Sequence, residues 1–151
     1  RYNAMVMDSV NTTLYEGWLQ GANGFGGGTT NHAWSGGPLT VIAQYLMGVS
    51  VTEPGWRKFS VCPMPVRFKQ ADISIPTLRG VVKSAFKLGE KADVYTLTVP
   101  SGTEAYMYLP CDDATKVDGA ARYLCRDAEV QKAGRLCLLL PAGNYKFKVR
   151  K

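Results

Sequence analysis

The amino-acid sequence predicts a mainly β protein, an antiparallel β-sandwich of about eight strands preceded by a short helical segment. Several β-rich runs are each closed by a proline, and turn sequences such as "PSGTE" and "PAGN" lie between them. Before residue 50 the apolar residues follow helical spacing instead. These observations predict two parts of different structure in one chain.

The predicted strands are the runs "KFSVCP", "ADISIP", "YTLTVP", "AYMYLP" and "LCLLLP". Since proline has no N–H to donate to a sheet ladder, it belongs at strand ends and at sheet edges. The turn sequences between the runs predict β-hairpins over residues 96–109 and 136–149. Many short strands without intervening helices favour a sandwich.

The first part of the chain predicts two short helices. The first has an apolar face made of Tyr2, Met5, Val6 and Val10. The second opens at Pro38, ends at Gly48 and has an apolar side made of Leu39, Ile42, Ala43, Leu46 and Met47. Two short helices joined by a long loop cannot bury both apolar faces by themselves, so this segment is expected to lack its packing partners.

The change of pattern places the domain boundary near residues 49–57, which divides the chain into residues 1–50 and 51–151. A length of 151 residues fits about one domain, and 46% hydrophobic with 20% charged residues is typical of a globular protein. The chain has no signal peptide and does not begin with Met, so either its start has been removed or it is a piece of something longer.

The net charge of +6 does not by itself indicate a nucleic-acid partner. The excess of basic residues lies after residue 50, is spread along predicted strands and accompanies no nucleic-acid motif, so a solvated face is the favoured interpretation. No apolar run approaches the ~18 residues that a membrane helix needs. We therefore expect neither a nucleic-acid nor a membrane partner.

The four cysteines are Cys62, Cys111, Cys125 and Cys137. They show no CxxC or other short metal-ligand spacing, and one histidine cannot complete a usual zinc site, so no metal cofactor is expected. Free buried thiols are the favoured interpretation, because a disulfide would need an oxidising compartment that the sequence does not indicate.

Candidate catalytic and binding residues lie in and before the glycine-rich stretch 23–38, "NGFGGGTTNHAWSGGP". Glu16 lies between aromatic residues, a setting that suits acid–base chemistry, although a surface or helix-cap glutamate is the alternative. His32 is the only histidine, and it is either a ligand contact or a structural histidine bonded to a backbone carbonyl. Trp18 and Trp34 are either core residues or flat platforms for a ligand.

The phrases "TTLYEGW", "NHAWSGGP" and "VTEPGWRKFSVCP", with the apolar helix between the last two, resemble the C-terminal end of bacterial α-L-rhamnosidases of glycoside hydrolase family 78. The later "IPTLRGVV", "VPSGTEAYMYLP" and "LPAGNYKF" resemble that family's C-terminal β-sandwich. The resemblance implies a multidomain enzyme that hydrolyses terminal α-L-rhamnosides with inversion, using two carboxylates and no metal cofactor. Residues 1–50 would be the terminal helices and active-site loop of its (α/α)6 catalytic barrel, and residues 51–151 its C-terminal β-sandwich domain.

The same resemblance implies roles for individual residues. Glu16 matches the family's general base, His32 matches a histidine of the sugar subsite, and Trp18 and Trp34 would form apolar walls of the pocket. The family's general acid lies far upstream in the barrel, so the fragment alone is expected to be inactive. Its partners would be a rhamnose-containing glycoside or polysaccharide and the remainder of the barrel, in a periplasmic or secreted setting rather than a cytoplasmic one.

Two alternatives belong to other functional classes. A carbohydrate-binding β-sandwich with a helical appendage would be favoured by exposed aromatic residues on a concave strand face. A purely structural sandwich agrees with the lysine-rich strands. If residues 1–50 are the edge of a barrel, their apolar faces are expected to pack on the sandwich or on a second copy of the chain, or to be partly mobile.

Overall fold

The structure is a computed structural model that describes residues 2–3, 7, 14–17 and 32–151. It forms two compact units, Arg1–Val41 and Ile42–Lys151. Tyr2 and Asn3 are helical, whereas most of the first predicted helix lies outside the described residues. The assignment of residues 1–50 to a catalytic barrel and of residues 51–151 to a separate domain stays a prediction.

The second predicted helix is present as short pieces. The first unit contains a 3-10 turn over Ala33–Gly36 and an α-helix over Gly37–Val41, with Pro38 in its first turn. The second unit opens with a π-helical turn over Ile42–Leu46. The helical segment ends at Leu46, two residues before the predicted end at Gly48, whose φ of +67° belongs to the left-handed region.

The expected apolar side of this helical segment is only partly buried. Met47 is fully buried and Leu46 packs against the core of the second unit, but Leu39 and Ile42 are 68% and 43% exposed. A π-helical turn takes more residues per turn than an α-helix does, so residues spaced for one α-helical face no longer share one direction.

The second unit contains eight strands, in agreement with the prediction of a mainly β fold with about eight strands. The strands are β1 Val49–Glu53, β2 Lys58–Val61, β3 Gln70–Thr77, β4 Gly80–Lys87, β5 Ala92–Val99, β6 Glu104–Leu109, β7 Leu136–Leu140 and β8 Gly143–Arg150. Each of the five proline-closed runs coincides with one of these strands. Pro76 lies within β3, where its missing N–H is tolerated because β3 is an edge strand.

The strands form two four-stranded sheets, in the orders β1-β2-β6-β7 and β3-β4-β5-β8. All pairs within the second sheet are antiparallel, as are β1–β2 and β6–β7 in the first. The pair β2–β6 is parallel. The antiparallel sandwich is thus confirmed with one parallel exception.

Both predicted hairpins are wrong. Residues 96–109 contain β5 and β6, and residues 136–149 contain β7 and β8, but the two strands of each pair belong to different sheets. Turn sequences reverse the chain equally well when the two strands lie side by side and when they lie in opposite layers of a sandwich. In the turn that carries the chain from β5 in one sheet to β6 in the other, the buried Thr103 hydroxyl donates to the Pro100 carbonyl oxygen at 2.6 Å. Hairpins instead join β1 to β2, β3 to β4 and β4 to β5.

The core lies where side chains from the two sheets meet. Members from the first sheet include Phe59, Val61, Met107, Leu138 and Leu140, and members from the second include Val82, Phe86, Tyr95, Leu97 and Phe147. Lysines on β4 and β8 occupy exposed strand positions (Lys83, Lys87, Lys146 and Lys148). All four cysteines are free; Cys137 is buried and the other three are partly buried.

Candidate functional site

Two short stretches of the first unit, residues 14–17 and 32–36, are held together by hydrogen bonds. The His32 N–H donates to the Leu14 carbonyl oxygen at 2.7 Å. The Ser35 hydroxyl donates to the Tyr15 carbonyl oxygen at 2.5 Å. These bonds bring Glu16 next to the turn that carries His32, although 15 residues separate the two along the chain.

The turn over residues 32–36 is itself anchored on its other side. The Tyr2 hydroxyl donates to the Ser35 carbonyl oxygen at 2.7 Å, and the Ser35 N–H donates to the His32 carbonyl oxygen at 3.3 Å. His32 is extended, with φ −138° and ψ 109°, and the chain then enters the 3-10 turn at Ala33. Ser35 therefore contributes bonds to both sides of this arrangement.

Glu16 and His32 lie within ion-pair distance, with 3.6 Å between Glu16 Oε2 and His32 Nδ1. Their side chains are 30% and 35% exposed, so both remain accessible to a ligand from solution. A carboxylate beside Nδ1 orients the imidazole, and Nε2 then lies on the far side of the ring, where it can bond to a ligand. The pair combines a proton acceptor with an oriented polar ring.

Trp34 supplies an apolar surface beside this pair. The ring centroids of His32 and Trp34 are 4.3 Å apart, with 39° between the ring planes. The Trp34 side chain is 68% exposed, so most of the indole can be contacted by another molecule. Ligand sites commonly combine aromatic surface with a few well-placed polar groups.

The structure therefore brings three of the four predicted site residues together: Glu16, His32 and Trp34. Trp18 lies outside the described residues. Sequence reasoning missed Tyr2 and Ser35 as positioning residues, because a hydroxyl group that bonds a backbone carbonyl leaves no signature in residue spacing. The catalytic and binding roles of the four predicted residues stay predictions.

Two negative findings apply only to the described part of the chain. Within residues 2–3, 7, 14–17 and 32–151, no group of three or more His, Cys, Asp or Glu side chains is arranged to hold a metal ion. None of the helices in those ranges combines the length and the apolar character needed to cross a membrane.

Three solved structures share this fold. An α-L-rhamnosidase from Streptomyces avermitilis, complexed with L-rhamnose, aligns with 93% of this chain at a TM-score of 0.74 and 22% identity. An α-L-rhamnosidase from Dictyoglumus thermophilum aligns with 93% of this chain at a TM-score of 0.68 and 22% identity. An α-L-rhamnosidase from Aspergillus terreus aligns with 82% of this chain at a TM-score of 0.61 and 22% identity. This chain spans only 14%, 16% and 12% of the lengths of those three proteins.

A sequence comparison identifies the second unit more directly. No match was found among curated proteins. The sequence model of the family described as bacterial α-L-rhamnosidase C-terminal domain matches residues 48–123, which is half of the chain and contains β1 through β6. Glu16, His32 and Trp34 lie before the matched residues. The chain belongs to the bacterial α-L-rhamnosidase C-terminal domain family.

Proposed function

We propose that this chain is the C-terminal portion of an inverting glycoside hydrolase that cleaves terminal α-L-rhamnosides. The observation that carries the proposal is the grouping of the Glu16 carboxylate, the His32 imidazole and the exposed Trp34 ring. The family of the second unit supports the proposal, as does the shared fold with three α-L-rhamnosidases. One of those proteins was solved with L-rhamnose, which supports a rhamnoside as the substrate class.

Glu16 is proposed as the general base. Its carboxylate would take a proton from the water that attacks the anomeric carbon, while a second carboxylic acid protonates the leaving oxygen on the opposite side of the sugar. In inverting enzymes those two carboxyl groups are ~6.5–9.5 Å apart, which leaves room for the water. The resemblance places the family's general acid far upstream in the barrel, so the isolated chain is expected to lack that acid and to be inactive.

His32, Trp34 and Trp18 are proposed to bind the sugar. The carboxylate of Glu16 would orient the His32 ring so that Nε2 can bond a sugar hydroxyl. Trp34 offers its exposed face to the apolar side of the sugar ring, and Trp18 is assigned to the same pocket on the resemblance alone. In this arrangement one residue performs the proton transfer and the others hold the substrate.

We propose a structural role for the β-sandwich rather than carbohydrate binding. Within residues 32–151, the exposed aromatic side chains are Trp34, Tyr45 and Phe68, and none of them lies on a strand. A strand face without exposed aromatic rings lacks the platform on which sugars commonly stack. Leu39, Val41, Ile42 and Tyr45 are 43–68% exposed, which is expected of helix residues that the remainder of the barrel would cover.

The test compares this chain with the longer parent polypeptide that the proposal implies, each assayed on an aryl α-L-rhamnoside. The parent should cleave the substrate and initially release the inverted anomer, as followed by NMR, while this chain should not. In the parent, Glu16→Gln should lower kcat by about 10²–10⁴-fold. Trp34→Ala should mainly raise KM, by about two- to tenfold.

Glu53→Gln in the parent is the matched control, because it removes a carboxylate that pairs with Arg57 and Lys58 in the second unit. Its kcat should equal that of the unaltered parent.

Retention of the anomeric configuration would contradict the inverting mechanism. An unchanged rate in Glu16→Gln would remove Glu16 from the mechanism, and a parent inactive on rhamnosides would show that the proposed sugar is wrong. We also propose that the parent is periplasmic or secreted. Cell fractionation of its source should then recover it in the periplasm or the medium rather than in the cytoplasm.

A further inference from the structure

A row of polar side chains crosses the first sheet of the sandwich. Parallel pairing places Val61 beside Met107, so the next residues, Cys62 and Tyr108, are neighbours in the same register. Tyr108 is in turn paired with Cys137 on β7. Because side chains alternate along a strand and Met107 points into the core, this row lies on the face of the sheet opposite the core.

Cys125 extends this row beyond the edge strand. An antiparallel bridge joins Leu124 to Leu138, which places Cys125 directly opposite Cys137. The Cys125 N–H donates to the Cys137 carbonyl oxygen at 3.0 Å. Two cysteines from segments 12 positions apart in sequence therefore lie side by side.

The segment that carries Cys125 also covers the row. The Tyr108 hydroxyl donates to the Val130 carbonyl oxygen at 2.8 Å, and the Lys132 ammonium lies 4.3 Å from the centre of the Tyr108 ring. This cover explains why Cys137 is only 2% exposed although it faces away from the core. Cys125 is partly exposed, so a small oxidant can reach it first.

We propose that Cys125 and Cys137 form a reversible disulfide that fastens the segment between β6 and β7 to the edge strand β7. Directly opposite residues of an antiparallel pair have Cβ atoms ~4.5–5.5 Å apart, and a disulfide needs ~3.5–4.5 Å. The bond from the Cys125 N–H to the Cys137 carbonyl oxygen makes this a hydrogen-bonded pair, at the wider end of that range, so a movement of about 1–2 Å closes the gap. Cys125 can make it because it lies outside the eight strands.

The register also makes the pairing specific. Cys62 and Cys137 lie on either side of β6, which separates them by two strand spacings, or about 9.6 Å. A disulfide usually requires Cα atoms no more than ~7 Å apart, so Cys62 cannot bond to Cys137 without movement of the strands themselves. Of the three cysteines in the row, Cys125 and Cys137 alone have suitable geometry.

The oxidation needs a low-molecular-weight disulfide, for which glutathione disulfide serves as the probe. The Cys125 thiolate attacks one glutathione sulfur, which forms a mixed disulfide and expels one glutathione thiolate. The Cys137 thiolate then attacks the Cys125 sulfur and expels the second glutathione. Overall, two protein thiols are oxidised to one disulfide and one glutathione disulfide is reduced to two glutathione molecules.

Ring closure should accelerate as pH rises. Burial raises the pKa of the Cys137 thiol; the charge and hydrogen bond of Cys125 act in the same direction, while Tyr108 and Lys132 oppose them. Below that raised pKa, the reactive thiolate fraction of Cys137 increases about tenfold for each unit of pH. The second step should therefore limit the rate and depend on pH in this way.

The test incubates the full chain with glutathione disulfide and follows it by thiol titration, peptide mass spectrometry and thermal unfolding. Trypsin places the two cysteines in separate peptides, Tyr123–Arg126 and Leu136–Lys146, so their disulfide gives a peptide of unique mass. We expect loss of two thiols, appearance of this linked peptide and a rise in the unfolding midpoint of about 5–15 °C. Dithiothreitol should reverse all three changes.

Cys62→Ser and Cys111→Ser are the matched controls and should still form the linked peptide. Cys125→Ser should form no linked peptide and should show no rise in the unfolding midpoint. The proposal is overturned if the oxidised wild-type chain contains only mixed disulfides with glutathione, or if the linked peptides contain Cys62 or Cys111 instead. None of these readouts involves glycoside hydrolysis, so the outcome is independent of the proposed enzymatic function.

Discussion

Gly48 is the position where a single added methyl group should do the most damage. Its φ is +67°, in the left-handed region, and a Cβ atom there would lie 2.0 Å from the Cys62 carbonyl oxygen and 2.7 Å from the Cys62 nitrogen. The neighbouring atoms belong to the backbone, so no side-chain rotation can relieve the clash. Gly48→Ala must therefore displace the start of β1 from the end of β2.

The expected loss has two parts that can be estimated. The left-handed conformation costs a residue with a Cβ about 1–2 kcal/mol. Displacement also breaks the bond from the Cys62 N–H to the Gly48 carbonyl oxygen, 3.0 Å long, which contributes about 0.5–1.5 kcal/mol. The two parts together lower the free energy of unfolding by about 1.5–3.5 kcal/mol, and the backbone clash adds to this loss, which is a large share of the ~5–15 kcal/mol typical of a domain.

Urea denaturation followed by circular dichroism measures this loss, and Gly55→Ala is the matched control. Gly55 has nearly the same φ, +68°, but no atom lies within 4 Å of a Cβ built on it. The control should therefore lose only the conformational part, about 1–2 kcal/mol. Equal losses in the two variants would refute the reasoning, because the close approach to Cys62 would then contribute nothing.

Three further predictions concern the second unit. Leu138→Ala, at a fully buried core position, should lower the free energy of unfolding in urea by about 2–5 kcal/mol, whereas Leu78→Ala, 88% exposed, should change it by less than about 0.5 kcal/mol. Hydrogen bonds from the Thr115 hydroxyl and amide lower the pKa of Asp113. The ionised Asp113 carboxylate therefore stabilises the fold above its ordinary pKa of 3.8, and this stabilisation disappears as pH falls through the lowered native pKa. In Asp113→Asn, the free energy of unfolding should fall less steeply with decreasing pH over that acid range. Burial acts to lower the pKa of Lys58, but the hydrogen bond and charge of Glu104, together with Tyr106 and Glu53, raise it. The stabilisation from charged Lys58 is present below pH 10.5 and is lost as pH rises through the raised native pKa. The thermal midpoint of the unaltered chain should therefore fall over that alkaline range, and the midpoint of Lys58→Met should not. An identical fall in both proteins would contradict the ion-pair assignment.

The strands were predictable because local chemistry determines where they end. Because proline has no N–H for a sheet ladder, four of the five proline-closed runs end their strands just before the proline, whereas Pro76 lies inside the edge strand β3. The same local reasoning could not predict which strands pair. "PSGT" and "PAGN" reverse the chain, but the packing of the two sheets decides that β5 and β6, like β7 and β8, lie in opposite layers.

Sequence reasoning could select candidate site residues but could not predict their geometry. Residue types and the family resemblance selected Glu16 and His32, yet no periodicity relates two residues that a long glycine-rich loop separates. Their 3.6 Å approach depends on bonds made by Ser35 and by the His32 backbone. The cysteine row shows the same limit, because Cys125 and Cys137 become neighbours only once the register of β7 with its edge segment is known.

The parallel pairing of β2 with β6 has a consequence for the order of folding. β3, β4 and β5 follow one another through hairpins, so they can assemble from contacts that are local in sequence. The β1–β2 hairpin gains its place in a sheet only when residues 104–107 pair with residues 58–61, across more than 40 positions of chain. Closing so long a loop costs entropy before any contact compensates for it, and the hairpin is expected to dock late. During synthesis on the ribosome, β1 and β2 would wait with unpaired edges until β6 had emerged, which is the interval in which this domain is most exposed to aggregation.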